Sequence, residues 1–123
     1  MYQFSFEKLT AYQLSKKLVS EVYHLLEKFP NTEKYGLCSQ IQRSIVSVPS
    51  NIAEQSGRIS KKERAHFIEI SYGSLMEAYC QLEIAVELKY IDDIEFQTLK
   101  PQFMEIAKML SGLRKSFVPE EPK

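Results

Sequence analysis

The stretch QIQRSIVSVPSNIAEQSGR, residues 40–58, decides the fold of this chain. Aliphatic side chains in and just before it recur at the spacing of an α-helix, on one face at 100° per residue, which predicts an amphipathic helix. That face consists of Leu37, Ile41, Ile45, Val48 and Ile52. Pro49 stands in the interior of this helix, where a proline removes a backbone hydrogen bond. We therefore expect a kink at Pro49.

The other face of this helix carries a polar stripe of unusual composition. It consists of Gln40, Arg43, Ser44, Ser47, Ser50, Asn51 and Glu54. A solvated helix face favours Lys and Glu, whereas Ser and Asn are weak helix formers. Small serines let another backbone approach, and Arg43 and Glu54 can form charge-assisted hydrogen bonds. The stripe is either solvated or a polar interface with another helix or subunit; its composition favours the interface, and an enzymatic site is the least favoured alternative.

Three more segments have helical periodicity, and the signals at their ends set the expected boundaries. Asn31 or Thr32 can cap the second helix, Ser60 with Glu63 forms a capping box for the third, and Asp92 or Asp93 can cap the fourth. The predicted helices span about 7–29, 33–56, 60–90 and 93–117, and the tail at 118–123 is expected to fray.

The connections between these helices are only a few residues long, and no segment alternates like a strand. Short connections place consecutive helices side by side and antiparallel. The sequence therefore predicts one all-α domain over residues 1–123, an up-down-up-down antiparallel four-helix bundle.

Composition excludes several classes of protein. The 16 basic and 16 acidic residues sum to a formal charge of zero, so no global field attracts nucleic acid or an anionic membrane. Neither a signal peptide nor an apolar run of about 18 residues is present, which predicts a cytoplasmic protein with no membrane partner. Cys38 and Cys80 lack a CxxC spacing and are expected to be free thiols in or near the core.

Two Glu-x-x-His pairs, Glu21 with His24 and Glu63 with His66, have the spacing of metal ligands in helical bundles. At 1.5 Å per residue, His24 and Glu63 are expected about 20 Å apart along the bundle axis, too far to share an ion. GxGxxG, P-loop and GxSxG motifs are absent from the sequence. We expect no catalytic, cofactor-binding or metal-binding residues and no small-molecule substrate.

The pattern Gln-Ile-x-Arg-x-x-x-Ser-x-Pro-Ser-Asn-Ile-Ala-Glu at residues 40–54 resembles a bacterial family of four-helix bundles. Gly57-Arg58 and Gly73-Ser74-Leu75-x-Glu77 continue the resemblance, which covers nearly the whole chain. The family is named for proteins encoded in intervening sequences of 23S rRNA genes. The resemblance implies a homo-oligomer, in the form of a pentameric ring, without established enzymatic activity. Gln55 departs from the family pattern, which usually has glycine there; its side chain is expected to narrow the space that glycine leaves.

The third helix is apolar around more than half of its circumference. One arc is expected in the core, and it contains Phe67, Ser71, Ser74, Leu75, Ala78, Leu82 and Ala85. A flanking seam, rich in the aromatic and Met residues typical of interfaces, contains Ile68, Tyr72, Met76, Tyr79, Val86 and Tyr90. The seam is either part of a wide core or a surface for self-association, and the family resemblance favours self-association.

Basic residues gather at one end of the predicted bundle. They are Arg58, Lys61, Lys62, Arg64, Arg114 and Lys115. Such an end is either simply solvated or, repeated around a ring, a basic rim that contacts phosphates. Two functions follow. The first is a non-enzymatic homo-oligomeric scaffold that associates with RNA or a nucleoprotein, and the alternative is a protein-interaction adaptor that does not bind nucleic acid.

Overall fold

A computed structural model describes residues 2–118 of the chain. It contains four α-helices, α1 (Thr10–Leu26), α2 (Leu37–Ser56), α3 (Lys61–Glu87) and α4 (Asp93–Ser116). Two 3-10 turns precede α1 and α2, at Ser5–Lys8 and Asn31–Glu33. The described part of the chain has no strand, so the predicted all-α class is confirmed. Apart from Val118, the tail expected to fray lies outside the described residues.

Each helix packs against its neighbours in the chain, and α4 also packs against α1, which closes the bundle. Across three of these interfaces, side-chain pairs progress in opposite directions along the two helices, so those helices are antiparallel. Between α1 with its following turn and α4 the pairs are Glu21–Gln102 and Lys28–Glu95. Between α2 and α3 they are Ser44–Gln81 and Ser47–Ser74. Between α3 and α4 they are Glu69–Arg114 and Tyr79–Phe96. Among residues 2–118 no such pair joins α1 to α2, and the complete up-down-up-down order stays a prediction.

The core is aliphatic and continuous, and its α2 contribution is the predicted face. Four of the five residues of that face are fully buried and Leu37 packs partly against them. Burial of one such side chain stabilises a fold by about 1.5–3 kcal/mol. The set of α3 residues that is buried differs from the prediction, because α3 contacts both α2 and α4. Ile68, predicted for the outer seam, has no exposed surface, whereas Phe67 and Ser74 are only half-buried.

Two helix starts differ from their predicted form. Leu9 has an extended backbone (φ −71°, ψ 126°) and separates the first 3-10 turn from α1. Neither Asn31 nor Thr32 caps α2; instead the carboxylate of Glu33 accepts a hydrogen bond from the backbone N–H of Leu37 at 3.3 Å. Since Gly36 is the last residue before α2, the predicted start at 33 is four residues early.

The starts of α3 and α4 follow the capping pattern to different degrees. The hydroxyl of Ser60 accepts from the N–H of Glu63 at 3.1 Å, but no reciprocal bond forms, so only half of the predicted capping box is present. At α4 the box is complete. Asp92 accepts from the N–H of Glu95 at 2.7 Å, and the Glu95 carboxylate accepts from the N–H of Asp92 at 3.2 Å.

The end of α3 is shorter than predicted and is closed by a Schellman motif. Lys89 has a positive φ of 63°, a conformation that glycine usually adopts at this position. The N–H of Tyr90 donates to the carbonyl of Ala85, and the N–H of Lys89 donates to that of Val86, both at 2.9 Å. The turn places Tyr90 against the segment between α1 and α2, where its ring lies 5.3 Å from that of Phe29 and its hydroxyl donates to Glu33 at 2.8 Å.

Two prolines lie inside helices. Pro49 is buried within α2, which continues through it to Ser56, and the kink expected there stays a prediction. Pro101 lies within α4 and is exposed, a feature that was not anticipated from the sequence. Each proline leaves one carbonyl of the preceding turn without its helical donor.

Candidate functional site

Three residues of the polar stripe form a hydrogen-bond network at the contact between α2 and α3, in which Ser44 is buried and Ser47 and Asn51 are half-buried. Ser44 lies with its Oγ 2.7 Å from Oε1 of Gln81, to which it donates. The hydroxyls of Ser47 and Ser74 are 2.8 Å apart. Asn51 donates from Nδ2 to the carbonyl and the hydroxyl of Ser47, both at 2.8 Å. This half of the stripe is therefore a polar interface between two helices of the same chain.

Two further hydrogen bonds extend the network along α3. Ser71, fully buried, donates to the carbonyl of Val48 at 2.8 Å, and Gln81 donates to Oε1 of Glu77 at 3.2 Å. A typical bond of this kind stabilises by about 1 kcal/mol, and a buried polar group left unpaired costs about 1–3 kcal/mol. Sliding α2 by one turn along α3 would leave several such groups unpaired. The network thus fixes the register of the two helices.

The other half of the stripe remains exposed on the single chain. Gln40, Arg43, Ser50 and Glu54 are all exposed. Ser50 donates to the carbonyl of Val46 at 2.8 Å, a bond within α2 itself. Glu54 is paired with Arg58 and Arg43 reaches the hydroxyl of Ser39 at 3.5 Å, so both have partners within the chain although they are exposed.

Gln55 is the most unusual polar residue of α2. Its side chain is 3% exposed, and its Oε1 atom is the buried side-chain atom without a hydrogen-bond partner among residues 2–118. The sequence shows that Gln55 departs from the family pattern. It does not show that the amide oxygen lacks a partner, because the fold determines which groups surround the amide.

Two arginines of the basic end are held within the bundle. Arg58 forms an ion pair with Glu54, and its guanidinium lies 4.6 Å from the ring centroid of Phe67. Arg64 donates from Nε to the carbonyl of Arg58 at 2.9 Å and covers the ring of Phe117 at 5.8 Å. These contacts join the start of α3 to the end of α4.

The remaining basic residues divide into one paired side chain and three unpaired ones. Arg114 donates to Oε1 of Glu69 at 2.7 Å, a bridge from α4 to α3. Lys61, Lys62 and Lys115 are exposed, and within the described chain no acidic side chain lies within salt-bridge distance of them. Within residues 2–118, three of the six predicted basic residues are therefore lysines without an acidic partner, and Glu63 stands unpaired in the same first turn of α3 as Lys61 and Lys62.

The predicted oligomer seam on α3 is divided by the fold. Tyr79 packs its ring against two phenylalanines of α4, with centroids 5.0 and 5.5 Å apart, and Val86 and Tyr90 pack partly against the core. Tyr72 and Met76 remain more than a third exposed. The part of the seam that a second molecule can reach directly is thus Tyr72 and Met76.

Additional apolar side chains on α3, absent from the prediction, are also exposed. Together with Tyr72 and Met76 they form a surface that we call the outer face of α3. It consists of Ile70, Tyr72, Met76, Ile84 and Leu88, each 37–49% exposed. At 100° per residue these side chains spread over roughly 160° of the outward half of α3, with the exposed residues Glu69, Cys80 and Glu87 between Tyr72 and Met76 on one side and Ile70, Ile84 and Leu88 on the other. Aromatic, Met and aliphatic side chains of this kind are enriched at interfaces.

The Glu-x-x-His pair of α1 and the buried cysteine have the following surroundings. Glu21 accepts from Gln102 at 2.5 Å, and His24 faces Glu27 at 3.6 Å, so the first Glu-x-x-His pair is occupied by other partners. Residues 2–118 contain no group of three His, Cys, Asp or Glu side chains placed to hold a metal ion. Burial, and then the charge of Glu33, raises the pKa of Cys38, which keeps this thiol protonated and weakly nucleophilic at neutral pH.

Both cysteines are free thiols, but only Cys38 lies in the core, and Cys80 is exposed. None of the described helices is long and apolar enough to cross a membrane.

These observations define a helical bundle with partly exposed apolar side chains on the outer face of α3 and exposed lysines at the basic end. The sequence description of the 23S rRNA-intervening sequence protein family matches residues 7–112. The chain belongs to this family. A crystal structure of a protein of unknown function from the S23 ribosomal protein family of Bacteroides thetaiotaomicron is similar, with a TM-score of 0.75 and 21% identity over 86% of this chain and 99% of that one. None of the curated proteins matches.

Proposed function

We propose that this chain forms a homo-oligomer in the cytoplasm and acts, without catalysis, as a scaffold that holds RNA or a nucleoprotein at its basic end. The observation that carries the proposal is the set of exposed lysines without acidic partners, Lys61, Lys62 and Lys115. The neighbouring arginines are engaged inside the bundle, so they shape this end while the lysines remain free to meet phosphates.

Few lysines on one small domain bind RNA weakly, because the net charge of the chain is zero. Repetition of the same end around a closed ring increases the effective concentration of binding sites. The outer face of α3 supports self-association, since it exposes aromatic, Met and aliphatic side chains together. The exposed polar residues of α2, Gln40, Arg43, Ser50 and Glu54, supply hydrogen-bonding groups for the same contact. We propose a pentameric ring, as the family resemblance implies.

The test is RNA binding as a function of salt, with wild-type protein and the double variant Lys61→Glu/Lys62→Glu. Each phosphate contact to single-stranded nucleic acid contributes about 0.7 to the slope of log affinity against log salt. Loss of two contacts should lower that slope by about 1.4 for each engaged copy. The matched control is Lys17→Glu/Lys108→Glu, which makes the same charge change at exposed positions along the helices. Affinity that does not respond to salt or to the first variant would refute the proposal.

A protein-interaction adaptor is the second candidate function, because the outer face of α3 can also receive another protein. Capture from native lysate before and after nuclease treatment separates the two. A specific partner that survives the nuclease and is lost in Tyr72→Glu/Met76→Glu favours the adaptor. A partner lost with the nuclease and in Lys61→Glu/Lys62→Glu favours the RNA scaffold.

A further inference from the structure

Four aromatic rings near the N-terminus form a ladder. The rings of Tyr2 and Phe4 meet edge to face at 5.0 Å, and those of Phe4 and Phe6 are nearly parallel, at 10° and 6.0 Å. Phe6 then meets Tyr12, on α1, edge to face at 4.9 Å. The ladder leads from solvent to the surface of the bundle.

The outer two rings are exposed, although the backbone of Phe4 is held in place by hydrogen bonds. Tyr2 is 81% exposed and Phe4 is 57% exposed. The N–H of Phe4 donates to the carboxylate of Glu7 at 2.7 Å, and the N–H of Glu7 donates back to the carbonyl of Phe4 at 3.1 Å. Gln13 donates to the carbonyl of Glu7 at 3.0 Å and ties the turn to α1. Two largely exposed aromatic side chains are thus carried by a segment that ends in a hydrogen-bonded turn.

The ladder lies at the same end of the bundle as the free lysines. From the pair Glu21–Gln102 to the pair Lys28–Glu95, the residue number rises by seven along α1 and its following turn and falls by seven along α4. If this antiparallel register is extended in the other direction, the start of α1 lies beside the end of α4. Arg64, in the first turn of α3, covers the ring of Phe117, the residue that follows α4. The end of α4 therefore lies beside the start of α3, where Lys61 and Lys62 are found. The 3-10 turn that follows Phe4 also packs against α2.

We propose that this aromatic ladder is a stacking platform for the bases of single-stranded RNA, and that the lysines at the same end hold its phosphates. The inference rests on the proposed function and specifies its ligand. Aromatic side chains beside cationic ones are the arrangement that binds unpaired nucleic acid, since every base offers a flat face for stacking. A duplex keeps its base faces stacked inside the helix and presents grooves and phosphates instead. The platform therefore selects unpaired strands over duplexes.

The experiment compares fluorescence anisotropy titrations of a labelled RNA of about 12 nucleotides, within the range of single-strand binding sites, with titrations of its duplex. The test variant is Tyr2→Leu/Phe4→Leu, which keeps apolar side chains and removes both rings. Tyr35→Leu is the matched control, because Tyr35 is 88% exposed and precedes α2 at the opposite end. Circular dichroism establishes that each variant is folded.

Wild-type protein should bind the single strand more tightly than the duplex. Tyr2→Leu/Phe4→Leu should weaken single-strand binding by about tenfold or more, leave duplex binding unchanged, and keep the wild-type salt slope. Phe4→Trp should retain wild-type affinity, and Tyr35→Leu should have no effect.

Single-strand binding that requires Lys61 and Lys62 but is unaffected by loss of both rings would overturn the platform and leave the proposed function standing. Equal affinity for single strand and duplex would also overturn the platform. Absence of binding to either RNA would overturn both. Loss of a nuclease-resistant protein partner in Tyr2→Leu/Phe4→Leu, with RNA binding intact, would identify the ladder as a protein-docking site instead.

Discussion

Replacement of Gln55 by methionine should stabilise the protein, although it removes a polar side chain from a helix rich in them. The amide is 3% exposed, and its Oε1 has no hydrogen-bond partner within the described chain. Methionine has nearly the same length and helix propensity as glutamine, so the substitution tests the surroundings of the side chain and not the helix itself.

The expected gain follows from the cost of the unpaired oxygen. A buried polar atom without a partner costs about 1–3 kcal/mol, and we expect the methionine variant to recover about 1 kcal/mol of this. For a chain of this size, that corresponds to a rise in Tm of roughly 3–6 °C. Gln55→Glu should act in the opposite direction and cost about 3 kcal/mol or more, because it buries a carboxylate without a partner. Gln55→Gly should lose about 1 kcal/mol in helix propensity alone.

The assay is urea unfolding followed by circular dichroism, with all variants at one protomer concentration because self-association contributes to apparent stability. The midpoint should rise for Gln55→Met with an unchanged m-value. A folded methionine variant that is less stable than wild type would refute the reasoning. It would show that Oε1 has a partner in solution, such as a water molecule or a group from a second copy.

Two other predictions concern helix ends. Lys89→Gly should stabilise the chain by about 0.5–1 kcal/mol in the same assay, because glycine adopts the positive φ of this position without strain; no gain would mean that Lys89 is not left-handed in solution. The Lys28 hydrogen bond, and then the Asp92 backbone, lower the pKa of Glu95 from its usual 4.5. That pair therefore contributes stability above pH 4.5 that is lost as the pH falls through the folded-state pKa of Glu95. Lys28→Met should reduce this acid-side loss of stability, and an unchanged pH profile would contradict the pairing.

The apolar side of α2 could be predicted from the sequence, because burial follows the helical period whatever the partner. The polar side could not be divided in the same way. Ser44, Ser47 and Asn51 face α3 while Gln40 and Arg43 face solvent, and the choice depends on how α2 is rotated against its neighbour. A helical wheel gives angles within one helix and carries no information on that rotation.

The phase of α3 was partly wrong for a related reason. Its apolar residues surround most of the helix, so the pattern itself has no single strong direction. Ile68 is in the core because α3 is covered by two helices, and Tyr79 is used inside the chain because phenylalanines of α4 reach it. Local sequence cannot reveal these tertiary neighbours.

Helix ends were predictable only where a local side chain forms the cap. Asp92 and Glu95 carry a recognisable capping box, and the structure has it. Lys89 carries no sequence signal for a left-handed turn, so the end of α3 was placed too late. The sequence also could not show which basic side chains are paired, because Glu69, the partner of Arg114, is 45 residues away in sequence.

The measurement that tests the central claim most directly is the mass of the protein in solution, determined by light scattering at high micromolar concentration. In the proposed ring, the outer face of α3 contacts further copies of the chain, so that the basic end is repeated around the ring. We expect a mass several times the 14.3 kDa of one chain, and five times that value for a pentameric ring. A single species of 14.3 kDa would contradict it.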